Sequence, residues 1–391
     1  MTTQRILRVI KAMVSCIPLV TFADRSAAAQ QPCNEDAVMA AKADWKKAAD
    51  ANMKPGPNQT QAIIRIDTMA QLLRAAYPEP AGMAPAWYRS MNEQPLISGG
   101  PAPYQLRAIL LGYFCNGRKP AEVVLGEETD TWFYVYANQF GWFFDSRDFT
   151  PFTVNTNRVY LLTKRVGEFQ GYPMYEGIHN KVANTGVTHS RTIIMTRPGQ
   201  SPYTPVTKRQ FLTAYIQRLE TEQPKQMAIW ERRPVRSDAE EEANTQNELA
   251  RIERTTRADK REWAKANYLK THVSEKQEKE EGLIKMRKAN EADLKPARDL
   301  LNGLSEEGAL QPAIVDAGHY TMEFTSFMTE EHGGRMLVQL NPAYFKAALP
   351  TYVPQFLVVY WRWDDSKASL NFKNQLEAHF DFKALQALID K

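Results

Sequence analysis

The sequence has few cysteines, no long apolar run near its start and almost no net charge once the first residues are set aside. Only three of the 391 residues are cysteine, which excludes a fold held together mainly by disulfides. The apolar stretch from Ala12 to Ala23 is much shorter than the roughly 20 residues that cross a bilayer as a helix. The sequence therefore does not predict an N-terminal membrane anchor.

Several short motifs with known chemistry are also absent. The chain contains no H-E-x-x-H, no G-x-S-x-G, no phosphate-binding G-x-x-x-x-G-K-[ST], no G-x-G-x-x-G and no calcium loop. None of its six histidines stands four residues from another, which is the spacing that places two zinc ligands on one helical face. The sequence predicts no cofactor and no metal site.

The N-terminus has the pattern of a secretory signal. Three basic residues precede the apolar stretch, and alanines at 27–29 supply the small side chains that a signal peptidase needs. This pattern predicts a signal peptide over residues 1–29 and a periplasmic or secreted protein. No transmembrane segment is predicted in the mature chain.

The net charge gives no general reason to expect nucleic acid as a partner. The whole chain carries 49 basic and 45 acidic residues. Residues 1–29 hold four basic residues and one acidic residue, so removing them leaves 45 basic and 44 acidic residues. Binding to nucleic acid is driven by phosphate neutralisation, so we predict a protein or a cell-wall ligand as partner instead.

The two cysteines that remain after cleavage are predicted to form a disulfide. An exported protein is in an oxidising compartment, so Cys33 and Cys115 are expected to pair. The loop between them predicts a stabilisation on the order of 4 kcal/mol in the chain-entropy treatment. A reactive thiol is the alternative, but neither cysteine is in a C-x-x-C pair.

Hydrophobic periodicity predicts an α+β fold. It consists of a mostly antiparallel sheet with flanking helices, a charged long-helix insert and a C-terminal α+β element. The predicted domains are an α+β domain over 30–230, a charged helical segment over 231–305 and the C-terminal element over 306–391. In the first domain we expect helices over 34–53 and about 59–76, a loop over 78–103 and then strands.

The charged segment differs from the rest of the chain in composition. Residues 236–300 hold 15 basic and 15 acidic residues, so nearly half of the positions are charged and the net charge is zero. Its thin apolar stripe favours long and mostly solvated helices, interrupted at Gly282. A helical hairpin that binds a protein is the functional alternative.

Two groups of polar residues are candidates for catalysis. Glu176, His179 and His189 could bind a metal or perform acid–base chemistry if a loop brought them together. Asp145 and Asp148 could flank a glycosidic bond as a carboxylate pair. The alternatives are a polar loop with surface histidines and a turn with an arginine salt bridge.

An aromatic-rich stretch is the candidate binding surface. Trp132, Tyr134, Tyr136 and Trp142 lie in it. They either fill the core of a sheet or place every second ring in a groove, where flat rings suit a glycan, an apolar ligand or a protein.

Two segments resemble parts of uncharacterised exported bacterial proteins. They are SPYTPVTKRQFL at 201–212 and NPAYFKAALPTYVPQFLVV at 341–359. The resemblance implies export and no residue role.

The sequence therefore predicts an exported cell-envelope protein that binds a protein or a cell-wall ligand without catalysis. The alternative is an envelope hydrolase acting on glycan or peptide, with one of the two polar groups as its catalytic residues.

Overall fold

The computed structural model describes residues 33–53, 59–91, 94–119, 122–141, 143–145, 152–177, 181–183, 186–318 and 324–391. The described chain divides into two compact units. The first, here called the sheet unit, comprises the described residues up to 149 together with 159–204 and 335–391. The second, the helical unit, comprises 150–158 and 205–334.

The helices begin mostly at side-chain caps. Asn34, Thr207, Ser237 and Ser305 each accept a hydrogen bond from a backbone N–H of the first turn that follows. The α-helices are α1 (Glu35–Ala40), α2 (Gln59–Ala76), α3 (Lys208–Gln217), α4 (Gln223–Arg232), α5 (Asp238–Thr255), α6 (Arg261–Thr271), α7 (Glu275–Gly303), α8 (Glu306–Leu310), α9 (Lys367–His379) and α10 (Phe382–Gln386).

The strands form two mostly antiparallel sheets, which confirms the predicted α+β class. They are β1 (Lys46–Lys47), β2 (Met83–Met91), β3 (Tyr104–Cys115), β4 (Val123–Leu125), β5 (Trp132–Ala137), β6 (Phe144–Asp145), β7 (Thr153–Val154), β8 (Asn157–Leu162), β9 (Arg165–Phe169), β10 (Tyr172–Glu176), β11 (Lys181–Ala183), β12 (Gly186–Met195), β13 (Tyr203–Pro205), β14 (Ile314–Val315), β15 (Arg335–Leu340) and β16 (Leu357–Asp364).

The large sheet runs in the order β1-β2-β3-β5-β16-β12-β10-β9. Strand β16 comes late in the chain but lies between β5 and β12, and pairs with both in antiparallel register. All of its residues are buried except the last, so both of its faces are covered. This position explains its nearly continuous run of apolar and aromatic residues.

The two faces of the large sheet have different partners. One face packs in a core cluster with residues of α2, α9 and α10, including Ile66, Phe372 and Leu385. The other face contributes to a second cluster that contains residues of β6, β8 and β15, such as Phe144 and Val338. The sheet unit is therefore built in layers around this sheet.

Two sequence predictions in the sheet unit are wrong. The predicted helix over 34–53 ends at Ala40, because the following chain pairs with β2 through β1 and Trp45 Nε1 donates to the carbonyl of Tyr77 at 2.8 Å. The predicted loop over 78–103 contains the nine-residue strand β2. Pro85 is compatible with this strand because β2 has only the two-residue β1 on its outer side.

The charged segment forms α5, α6 and α7 of the helical unit. The expected interruption at Gly282 is wrong, because α7 continues through this residue and through Pro296 as well. The core of this unit includes Phe211 and Tyr215 of α3, which contact Phe324 with ring centroids 4.8 Å and 5.6 Å apart. The sequence pattern also predicts a strand over 320–327; part of this range lies outside the described residues, and residues 324–327 are not a strand.

No helix in the described part of the chain is both long enough and apolar enough to span a membrane.

Candidate functional site

The predicted aromatic residues lie on the side of β5 that belongs to the second cluster. Tyr134 and Tyr136 are 6% and 3% exposed and are members of that cluster, while Trp132 packs against it and is half-buried. The ring centroids of neighbours along the strand are 5.9 Å apart. Trp142 lies outside the described residues. The described rings thus contribute mainly to packing.

The described members of the predicted Glu–His group have different partners. Glu176 forms an ion pair with Arg335 at 3.8 Å, and His189 Nε2 lies 2.9 Å from Asp365 Oδ1. The His189 ring also stacks on Trp363 with centroids 5.5 Å apart. These contacts hold the His189 side chain in place beside the end of β16.

The remaining catalytic candidates are only partly covered by the structure. Asp145 is in β6, but its side chain is not described, and His179 and Asp148 lie outside the described residues. Among the residues that the structure describes, no three His, Cys, Asp or Glu side chains are grouped so that they could hold a metal ion. The acid–base hypothesis for these residues stays a prediction.

The predicted cysteine pair is at disulfide distance. The sulfur atoms of Cys33 and Cys115 are 2.10 Å apart and their Cα atoms 5.6 Å apart. The bond joins the start of α1 to the end of β3, two segments separated by 82 positions in sequence.

The helical unit contains a cleft that the sequence did not reveal. Its volume is about 1010 Å³. Its walls are one face of α3 and α4, the hairpin of β7 and β8, and one residue of α7. The lining residues are Phe152, Thr153, Asn155, Thr156, Arg209, Gln210, Thr213, Ala214, Gln217, Arg218, Thr221, Gln223, Gln226, Trp230 and Met286.

Helix α3 presents a polar face to this cleft because its apolar face is needed for the core. Phe211, Leu212 and Tyr215 are buried. The cleft residues Thr213 and Gln217 are separated by one helical turn on another side of the helix. A capping box at Thr207 begins the helix, with the Thr207 and Gln210 side chains each accepting a hydrogen bond from the other's backbone N–H.

A π-helical turn keeps the cleft face continuous from α3 into α4. It spans Arg218–Glu222, and the Gln223 N–H bonds to the carbonyl of Arg218, five residues earlier. Such a turn accommodates one extra residue, which in an uninterrupted α-helix would rotate everything after it by about 100°. Residues before and after the turn, including Thr213, Gln226 and Trp230, line the same cleft.

The opposite wall is a tight β-hairpin with an unusual turn. Asn155 and Thr156 connect β7 to β8 with φ of 49° and 65°. Positive φ at both positions is the pattern of a type I′ turn, in which asparagine is common and a β-branched threonine is rare. Phe152, just before the hairpin, is buried and packs on Phe211 with centroids 5.5 Å apart. This anchor fixes the hairpin beside α3.

Trp230 is the large aromatic residue of the cleft. It is 37% exposed, and its ring lies against Gly282 of α7, where an added Cβ would be 3.7 Å from the ring. The guanidinium of Arg233 is 5.5 Å from the ring centroid. One face of the indole is therefore supported by protein, which suits it to stack on a ligand.

Amide and hydroxyl side chains predominate in the lining, which also contains two arginines, Arg209 and Arg218. Most of its residues carry amide or hydroxyl groups, which both donate and accept hydrogen bonds. Arg209 lies towards one end and Trp230 towards the other, about 30 Å apart along the helices at 1.5 Å per residue. None of the described lining residues is Asp or Glu. Such a surface can hold an extended ligand with many hydroxyl or amide groups.

Comparison with known proteins adds no assignment: no protein-family model, no curated protein and no solved structure matches the chain.

Proposed function

We propose that this protein is an exported binding protein that holds a strand of cell-wall glycan in the cleft of its helical unit. The observation that carries the proposal is the lining of the cleft, in which amide and hydroxyl side chains predominate and a supported tryptophan lies towards one end. Planar amides pair with adjacent sugar hydroxyls and acetamido groups, and an indole ring stacks on the apolar face of a sugar.

Export is part of the same proposal. It is supported by the signal-like N-terminus and by the Cys33–Cys115 pair at disulfide distance, since such bonds persist in oxidising compartments. Fractionation of the native host should recover the protein outside the cytoplasm, beginning near residue 30. Recovery in the cytoplasm with residues 1–29 intact would contradict this part of the proposal.

The binding test uses isothermal titration of the mature protein with N-acetylglucosamine oligomers of increasing length. We expect the affinity to rise with length and to level off once the oligomer spans the cleft. Trp230→Ala should weaken binding on the order of tenfold, because it removes the stacking surface. Gln217→Ala should weaken it severalfold through loss of hydrogen bonds.

Two matched controls separate the cleft from the rest of the helical unit. Trp263→Ala removes a tryptophan that is 70% exposed and does not line the cleft. Gln246→Ala removes an exposed glutamine whose amide donates to Glu242. Both variants should bind like the wild type. Failure of every oligomer to bind, or equal loss in cleft and control variants, would overturn the proposal.

The same titration samples are assayed for new reducing ends. Turnover that disappears in Asp145→Ala or His179→Ala would replace the binding proposal with the hydrolase alternative. Binding without turnover supports the proposal as stated.

A further inference from the structure

A cluster of tyrosines surrounds one arginine on the second-cluster face of the large sheet. Tyr88, Arg107, Tyr134 and Tyr360 lie directly opposite one another on the adjacent strands β2, β3, β5 and β16. The Arg107 guanidinium is 5.5 Å from the ring centroid of Tyr134, and Tyr88 is among its polar neighbours. The strand register therefore places one cation among aromatic rings.

Arg107 differs in its partners from three other arginines of the sheet unit. Arg89 pairs with Asp67, and Arg197 pairs with Asp390. Arg362, two strands away from Arg107, pairs with Asp130. Among the described residues no carboxylate forms an ion pair with Arg107, whose charged and polar neighbours are tyrosines.

The guanidinium also has unused hydrogen-bonding capacity. Its Nε is buried and has no hydrogen-bond partner among the described residues. A buried cation without a counter-ion and with an unmade hydrogen bond is costly, whereas a fork-shaped carboxylate contact would satisfy both needs. Arg107 as a whole is only half-buried, so an anion from solvent can reach it.

The charge around Arg107 selects the class of anion. Tyr134 and Tyr136 carry no negative charge, since burial raises the pKa of each well above the ordinary value of 10.0. The neighbouring Arg362 is already neutralised by Asp130. One uncompensated positive charge matches one negative charge, and a phosphate dianion would bring a second charge without a partner.

We propose that Arg107, with Tyr88 and Tyr134, forms a binding site for a small monocarboxylate in the sheet unit. This site is separate from the cleft, and the inference does not depend on the proposed glycan function.

The test measures binding of acetate, benzoate and inorganic phosphate to the mature protein by calorimetry, at constant ionic strength in chloride. The wild type should bind a carboxylate with one-to-one stoichiometry and phosphate more weakly. Arg107→Gln should weaken carboxylate binding at least about tenfold. Arg107→Lys should weaken it by an intermediate factor, because lysine keeps the charge but lacks the paired N–H donors of the guanidinium. Tyr88→Phe should weaken it a few-fold.

A second readout distinguishes a binding role from a structural one. Without ligand, the midpoint of thermal unfolding of Arg107→Gln should not be lower than that of the wild type, because the variant loses an unpaired charge. Added carboxylate should raise the midpoint of the wild type but not that of the variant. Arg191→Gln is the control, since Arg191 lies 5.6 Å from the Trp363 ring and should not affect binding.

The proposal is overturned if the wild type binds neither carboxylate, if Arg107→Gln binds equally well, if phosphate binds as tightly as the carboxylates, or if Arg107→Gln is markedly destabilised without ligand.

Discussion

The tryptophans of the two units differ in burial. Trp361 in β16 of the sheet unit is fully buried, while Trp263 in α6 of the helical unit is 70% exposed. Burying an aromatic side chain stabilises a fold, whereas leaving it exposed provides surface for contacts with another molecule. The difference suggests that packing determines the sequence of the sheet unit and that contacts with solvent and ligand shape much of the helical unit.

The ion pairs of the two units differ in the same way. In the sheet unit, Arg197 donates to both oxygens of Asp390 at 2.7 Å, and its side chain is only 8% exposed. In the helical unit, pairs such as Arg251–Glu248 are well exposed. Exposed pairs contribute little to stability, so the charges of the helical unit serve mainly to keep its helices solvated.

The largest expected effect is that of Trp361→Ala. The substitution removes a fully buried side chain and its Nε1 donor to Glu377 Oε1 at 3.0 Å, so the free energy of unfolding should fall by about 3–5 kcal/mol. Denaturant unfolding measures the change. Trp263→Ala in the helical unit should change the free energy of unfolding by less than about 0.5 kcal/mol. Similar losses in both variants would remove the contrast between the units.

Removing the disulfide should have the next largest effect. Replacing both Cys33 and Cys115 with serine opens a link between segments 82 positions apart, and the free energy of unfolding should fall by about 2–4 kcal/mol. The same unfolding experiment on the oxidised wild type and the double variant measures this. Mature protein that shows two free thiols on mapping would contradict the pairing itself.

The Arg197–Asp390 pair should make stability depend on acid. The hydrogen bond from Arg197 holds the pKa of Asp390 below its ordinary value of 3.8. The pair therefore stabilises the fold above about that pH, and this contribution is lost as the pH falls through the lower pKa of the folded state. Asp390→Asn should cost about 2 kcal/mol at pH 7 because it leaves Arg197 without its partner. The difference in unfolding free energy between the wild type and Asp390→Asn should become smaller from pH 5 to strongly acidic solution. A difference that stays constant would contradict its assignment to the ion pair.

The smallest expected effect concerns a helix cap in the charged segment. The Ser237 side chain accepts a hydrogen bond from the Glu240 N–H in a capping box that begins α5. Ser237→Ala should cost about 1 kcal/mol of helix stability. Hydrogen exchange in the first turn of α5 reports the loss, with Ser237→Thr as the conservative control. Unchanged exchange in Ser237→Ala would show that the cap is not needed.

Local patterns in the sequence predict much of the sheet unit. Helical spacing correctly predicts α2 over 59–76, and the two cysteines that follow the expected signal peptide predict the Cys33–Cys115 pair. Strand β2 is missed because Pro85 and the surrounding prolines and glycines favour a loop locally. Pairing with β3 along its whole length outweighs that preference.

Neither ligand-site proposal could be predicted from local patterns. The cleft lies along α3, the π-turn at Arg218–Glu222 and α4, and its other wall is a hairpin more than fifty positions earlier in sequence. The environment of Arg107 depends on the register of four strands that are not consecutive in the chain. Helical spacing of Thr213, Gln217 and Thr221 is the one local signal that points to a polar face.

The most direct test of the account is hydrogen–deuterium exchange of the mature protein with and without the tightest-binding oligosaccharide. The account predicts slower exchange in the β7–β8 hairpin and along α3, the π-turn and α4, with the large sheet unchanged. Protection centred on β5 and its aromatic residues, with no change along the cleft, would contradict the claim that the helical unit binds the ligand.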